Sequence, residues 1–458
     1  MAAGYVDLAR LRPGGATVLV RVLRTPLVLD EHAYRATPVT ILYIYQGEWP
    51  RGATRVAKQV RSLARAGHDV HLLARNYEGA PRLEPWEQVT VHRLPWVRVR
   101  WLNRVLNFPV FVNPLWVWAM WRLARSTGAG RIVVADLPLA PSAIWLGRLR
   151  GIRVHYDMAE VYPEFLKSLH AVSVRPLSDR VIRSPGAAAL VERCVLRTAS
   201  SISVVCEESR LRCVRRGARA DRVVLVGNTP DNVAELTTAQ PFPPELGSWA
   251  RRPRALFVGT LLADRGVKET VEALELVRRA VPDACLVVVG DGPDRPRIAQ
   301  TVERLGLGDH VALLGWQRHE RLTEFYQHCQ VGLLPFLDTP HVRVTLANKL
   351  FDYMGAGLAV LAADLPPMRR VLEEVGAGVL YTVGSPRALA EQLVTLLKDP
   401  DRCHTLGARG REAVVAKYHW GRDEATLLGV VDAVEEPTRR HTPNVASPQR
   451  VAERTLLK

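Results

Sequence analysis

A short apolar run, a glycine turn and an amphipathic stretch recur along this chain, and the series starts a second time after residue 254. Val39–Tyr45 reads as a strand, Gly47–Gly52 as a glycine-bounded loop, Ala53–Ala66 as a helix closed by Gly67, and Asp69–Ala74 as a second strand. Arg131–Ala135, Arg153–Tyr156, Ser201–Val205 and Val223–Val226 are further strands, with helical stretches between them. The strands are continuously apolar rather than alternating. That marks strands covered on both faces, as in parallel sheets with crossover helices.

Ala239–Arg254 is rich in proline and charge and reads as a linker. The strands Ala255–Val258, Cys285–Val289, Val311–Leu313, Val331–Pro335 and Leu358–Ala363 then alternate with helices at Val267–Ala280, Arg295–Leu305, Arg321–His328, Pro366–Val375 and Arg387–Leu397. The expected fold is α/β, two doubly wound Rossmann-like domains facing a central cleft. The expected boundaries are a disordered leader over 1–37, a first domain over 38–238, a linker over 239–254, a second domain over 255–405, a helical segment over 406–434 and a disordered tail over 435–458. Ligands of open α/β sheets bind outside the carboxyl ends of the strands, so one cleft serves both halves.

A length of 458 residues exceeds one ordinary core. The net charge of +16 favours an anionic partner, whether nucleic acid, an anionic membrane face or a phosphate-bearing substrate. The six cysteines form no CxxC pair, and His404 beside Cys403 lacks a second ligand pair. Structural thiols are expected, with no metal and no cofactor. No apolar run is long enough to span a bilayer, and Arg21 and Arg24 interrupt the apolar N-terminal pieces.

Asn348–Gly357, NKLFDYMGAG, is a short helix leading into a buried strand. Asn348, Lys349 and Asp352 are spaced to share one side, with Leu350, Phe351 and Met354 opposite. A helix start offers free N–H groups to anions. With Lys349 the set suits a diphosphate, and Asp352 suits ribose hydroxyls. A plain amphipathic helix with a solvated polar side reads equally well from this segment alone.

The chain resembles the family-4 glycosyltransferases. The resemblance rests on Arg254–Pro293, RALFVGTLLADRGVKETVEALELVRRAVPDACLVVVGDGP, with VALLGWQ at Val311–Gln317, VGLLP at Val331–Pro335 and NKLFDYMGAGLAVLAA at Asn348–Ala363. In the first half it rests on RVAKQVRSLARAGHDVHLLAR, HYDMAEVYPE at His155–Glu164 and SISVVCEESRLRCVRRGARADRVVLVGNTPD. It runs from about Val39 to about Tyr418 and implies the GT-B architecture, with transfer of a sugar from a UDP- or GDP-sugar with retention at the anomeric carbon. Arg265, before Gly266, and Lys349 would neutralise the diphosphate, and Glu160 would be the cleft carboxylate; these are the expected catalytic residues. Thr260, Gly315, Trp316, Gln317, Asn348 and Asp352 would hold the nucleotide sugar, with the base against the backbone of 315–317. The chain departs from the family at three places. Thr260 stands for a cation, Val344 for the partner glutamate eight positions before Asp352, and Ala159 for the cleft histidine.

Gly47 and Gly52 could bring backbone to phosphate or acceptor, or simply turn the chain. Val289–Pro293, VGDGP, lacks the G-x-G-x-x-G spacing and reads as a turn. Trp96, Trp101, Trp116, Trp118 and Trp121 cluster among Arg98, Arg100, Arg104, Arg122 and Arg125. This segment is either a membrane-surface element or a helix whose aromatics pack on the first sheet. The acceptor expected is a lipid-linked saccharide or other saccharide in bacterial surface-glycan synthesis. The protein is expected in the cytoplasm, peripheral on the inner face of the plasma membrane. No RNA-binding signature accompanies the basic residues, and nucleic acid is not expected as a partner. The competing readings are a GT-B nucleotide-sugar epimerase and a weakly active binding subunit of a glycan-assembly complex.

Overall fold

The computed structural model describes residues 38–433 apart from 51, 78, 107–110 and 173–182. The leader over 1–37 and the tail over 435–458 lie outside the described residues.

The first sheet has eight strands in the order β3-β4-β2-β1-β5-β6-β7-β8. They are β1 (Thr40–Glu48), β2 (Asp69–Arg75), β3 (Leu83–Trp86), β4 (Val89–Arg93), β5 (Arg131–Ala135), β6 (Arg153–Met158), β7 (Ser201–Val204) and β8 (Val223–Leu225). All neighbours are parallel except β3 and β4. The helices of this half are α1 (Thr54–Arg65), α2 (Arg100–Leu106), α3 (Pro114–Ser126), α4 (Ala140–Arg150), α5 (Tyr162–Val172), α6 (Pro185–Thr198), α7 (Glu207–Arg215) and α8 (Val233–Thr237).

The second sheet is parallel throughout, in the order β11-β10-β9-β12-β13-β14. Its strands are β9 (Arg254–Val258), β10 (Cys285–Val289), β11 (Val311–Leu313), β12 (Val331–Leu334), β13 (Ala359–Ala363) and β14 (Gly378–Tyr381). Its helices are α9 (Val267–Arg278), α10 (Arg295–Arg304), α11 (Leu322–Gln327), α12 (Asn348–Ala356), α13 (Pro366–Val375), α14 (Pro386–Leu397) and α15 (Pro400–Ala416). The last helix, α16 (Trp420–Asp432), returns to the first half.

One side of the first sheet packs against α3, α4, α5 and α6, through Trp116, Met120, Ile144, Leu166 and Leu196. The other side packs against α1 and α16, through Val60, Leu63, Trp420 and Leu427. Each such side chain removed from water contributes about 1.5–3 kcal/mol before entropy is set against it. The residues read as a linker carry structure of their own. Leu246 and Trp249 are buried in the core of the second half, and Arg254 already belongs to β9.

Gly47 is not in a loop. β1 continues to Glu48 with a register shift after Tyr45, and a Cβ at Gly47 would lie 2.3 Å from the Tyr45 hydroxyl. Its hydrogen leaves room for that ring. The helical run expected after Leu406 is two helices, α15 and α16.

Candidate functional site

The carboxyl ends of both sheets open onto a cleft of about 490 Å³. From the first half it is lined by Gly52, Thr54, Arg55, Asp136, Asp157 and Glu160. From the second it is lined by Thr260, Arg265, His341, Asn348 and Lys349. An adjoining cavity of about 680 Å³ shares Thr54, Asn228 and Asn348 with it and is lined further by Lys58, Tyr326 and Asp352. Gly52 of the expected glycine pair therefore reaches the site and Gly47 does not.

The cations are held by specific local structure. Arg265 ends a tight turn before Gly266, whose φ is +67° and where a Cβ would sit 1.8 Å from the Pro335 carbonyl oxygen. Only glycine fits there, and this fixes the guanidinium over the Phe336 ring, 4.8 Å from its centroid. Lys349 lies in the first turn of α12, whose N-cap, Ala347, provides no side-chain cap. No side chain of the N-cap therefore covers the opening turn, in which the Leu350 N–H donates to the Ala347 carbonyl. Lys349 Nζ donates to Asp352 Oδ2 at 3.0 Å and to Tyr326 Oη at 3.3 Å. Asp352 lines the adjoining cavity, as a group one step further along an extended ligand would. Trp316 is 72% exposed, and Gln317 donates to the Leu314 carbonyl. Neither Gly315, Trp316 nor Gln317 lines the two cavities.

The carboxylates of the first half divide into different roles. Asp157 is fully buried and bound bidentately by Arg55 at 2.9 and 2.7 Å, and it accepts from the Ser203 hydroxyl at 2.5 Å. Burial raises its pKa, but Arg55 and Ser203 outweigh that, and it ends below the usual carboxylate range. It is a structural anion. Glu160, two residues beyond β6, faces the cleft with His341 Nε2 2.9 Å from its Oε2. Burial works against its charge, yet His341 and Arg265 hold its pKa below normal.

Two site residues were not read from the sequence. His341 comes from the loop before α12, is 2% exposed, and its Nδ1 has no hydrogen-bond partner among the described residues. It brings an imidazole from the second half to the place where Ala159 leaves none. Asp136 follows β5 directly, with φ +63° in the left-handed region that non-glycine residues rarely adopt. Its Oδ1 accepts from the Glu160 N–H at 3.3 Å. Burial, then Glu160, then Asp157 push its pKa up to about 8. Two neighbouring carboxyl groups therefore differ in charge at neutral pH, an arrangement that separates acid from base.

The pH consequence has a definite sign. An unfolded aspartate loses its proton near pH 3.9, whereas folded Asp136 keeps it to about pH 8. The folded chain binds the extra proton between those values, so this group's contribution to stability falls as pH rises through that window. Asp136→Asn is expected to flatten that part of the stability–pH curve, measured by urea unfolding between about pH 5 and 8. An unchanged slope would contradict the assignment.

The sequence likenesses agree with this geometry. Residues 51–229 match the glycosyl transferase 4-like domain and residues 252–399 match glycosyl transferases group 1. The alpha-D-kanosaminyltransferase of Streptomyces kanamyceticus is 25% identical over 179 residues, 39% of this chain and 45% of that one. The 2-deoxystreptamine N-acetyl-D-glucosaminyltransferase of Streptomyces fradiae is 26% identical over 378 residues, 80% of this chain and 86% of that one. The chain spans about half the length of the first curated relatives it matches. Among solved structures, sucrose-phosphate synthase from Thermosynechococcus elongatus superposes with a TM-score of 0.68 at 20% identity, over 85% of this chain and 97% of that one. The chain is thereby placed among the glycosyltransferases of GT-B fold.

Proposed function

We propose that the chain transfers a sugar, with retention, from a UDP- or GDP-sugar to a hydroxyl of a lipid-linked saccharide in bacterial surface-glycan synthesis. The observation that carries this reading is the meeting at one cleft of Arg265, Lys349 and the opening turn of α12 from one half with Glu160 and Asp136 from the other. In this reading the diphosphate lies against the cations and the ribose against Asp352 in the adjoining cavity. The bond from the anomeric carbon to the phosphate oxygen breaks, and charge grows on the departing diphosphate. Stabilising that charge is the protein's chief task. The acceptor oxygen bonds to the anomeric carbon from the same face, and its proton passes to the leaving phosphate oxygen. Glu160, oriented by His341, and protonated Asp136 hold the acceptor hydroxyls. Closure of the cleft keeps water from the donor.

The binding-subunit reading rests on Val344, Thr260 and Ala159, where the family's partner glutamate, cation and cleft histidine are missing. His341 beside Glu160 weakens that argument, because a polar group occupies the cleft after all. A thermal-shift screen of UDP- and GDP-sugars tests the donor half of the proposal, since a ligand bound only by the folded chain stabilises it with the logarithm of its excess. No shift with any nucleotide sugar would end it.

Asp352→Asn is expected to raise the Michaelis constant for donor several-fold with turnover nearly kept. An amide loses one charge-assisted bond to the ribose diol. Because Asp352 also holds Lys349, lost turnover at unchanged Michaelis constant would instead mean that its task is to position the lysine.

A further inference from the structure

We propose that the outward faces of α3, α4 and α6 form a docking surface for an anionic lipid bilayer. These helices cover one side of the first sheet, with α4 packed between the other two. Their inward residues enter one core, so their outward residues share one surface. On that surface Trp118 is 51% exposed, Trp121 42%, Trp145 54%, Leu149 63% and Leu190 72%. Monomeric proteins rarely leave such a contiguous apolar group in water.

The charges choose the partner. Arg122, Arg125, Arg148, Arg150 and Arg193 are exposed among these side chains, and none of them has a carboxylate partner among the described residues. The three helices contain one acidic residue, Glu192, which is buried and bound by Arg212. Arg122 stacks over Trp118 and Arg125 over Trp121, at 5.3 and 5.7 Å. Protein interfaces enrich tryptophan and arginine too, but five exposed arginines with no exposed carboxylate on these helices call for a continuously anionic partner. A bilayer's headgroup zone accepts both kinds of group, indole at the interface and guanidinium on lipid phosphate. No helix among the described residues is long and apolar enough to cross a membrane. Contact would be peripheral.

The surface is broader than the tryptophan–arginine segment in the sequence and differs from it in membership. Trp116 is fully buried and belongs to the core. Trp145, Leu149 and Leu190 join from helices further along the chain. The proposal does not depend on the transferase reading.

Flotation of the full chain with vesicles tests it. Phosphatidylglycerol vesicles should recruit the protein at low salt and phosphatidylcholine vesicles much less, with partial release as salt rises. Arg148→Glu/Arg150→Glu and Trp145→Ser/Leu149→Ser should each cut recruitment by more than about tenfold. Val415→Ser, an exposed apolar position on α15 in the other half, should not. Tryptophan quenching of the unmodified protein by brominated phosphatidylglycerol gives a reading that needs no variant. Equal failure of both vesicle types to recruit, absence of quenching, or undiminished binding by the folded variants would overturn the proposal. A concentration-dependent dimer that Trp145→Ser/Leu149→Ser abolishes, with no vesicle binding, would overturn it in favour of a protein partner.

Discussion

Lys349→Ala and Arg265→Ala should each lower sugar transfer by about 30-fold to about 1000-fold, the range that follows from losing about 2–4 kcal/mol of stabilisation at a developing oxyanion. The two cations enter the cleft from different elements. Arg265 is set by the turn that Gly266 permits, and Lys349 by the first turn of α12. Both side chains are partly exposed at the cleft, so the core should tolerate their loss. Steady-state kinetics with saturating donor, alongside a thermal melt, separates lost chemistry from lost fold. Wild-type turnover in both variants would remove the diphosphate site from this position. Loss in only one would show which cation meets the leaving oxygen.

Arg55→Leu should destabilise the folded chain by about 3–5 kcal/mol, because it strands a buried carboxylate. Arg55 and Asp157 have 8% and 0% exposed side chains, and Arg55 also donates to the carbonyls of Val226 and Gly227. One guanidinium thus joins α1, β6 and the segment after β8. Asp157 has a folded pKa below normal, so its contribution is present above the unfolded value and is lost as pH falls through the folded one. The single variant should show its largest deficit at neutral pH and a smaller one in acid. Arg55→Leu/Asp157→Leu should recover part of the loss, since removing both partners abolishes the stranded charge. Urea midpoints equal to wild type would show the pair to be dispensable.

The strands were legible because parallel strands buried on both faces must be apolar throughout, and β5, β10 and β12 fall where such runs were read. One edge strand of each sheet was not. β3, LEPW, is half-exposed and contains Pro85, and β14, GVLY, has only four residues. The α12 side of the cleft was also readable, because helix spacing decides that Asn348, Lys349 and Asp352 share a side. The surroundings of Glu160 were harder. Counting back along α12 leads to Val344, which packs on the core of the first half. The polar group comes instead from His341, in a loop whose reach follows no period. Asp136 gave no signal either, since an aspartate does not announce a left-handed backbone as a glycine would. Of the clustered tryptophans, Trp116 faces inward while Trp118 and Trp121 face out, a division that the 3.6-residue period of α3 predicts once its register is known.

The return of α16 has a consequence for how the molecule is made. Trp420, Leu427 and Val431 complete the core on the α1 side of the first sheet. Trp420 donates to Ser62, Asp423 accepts from Gly227 and Thr229, and Asp432 lies 3.1 Å from His68. During synthesis from the amino end, the whole second sheet emerges before these residues do. The first half therefore leaves the ribosome with one side of its sheet covered only in part, by α1, and its last piece arrives only after the second sheet has emerged. A nascent chain halted near residue 240 should bind a hydrophobic-surface dye and be cleaved readily by protease, whereas one carried past residue 432 should resist. The chain's order of birth then makes the amino-terminal half the later of the two to finish.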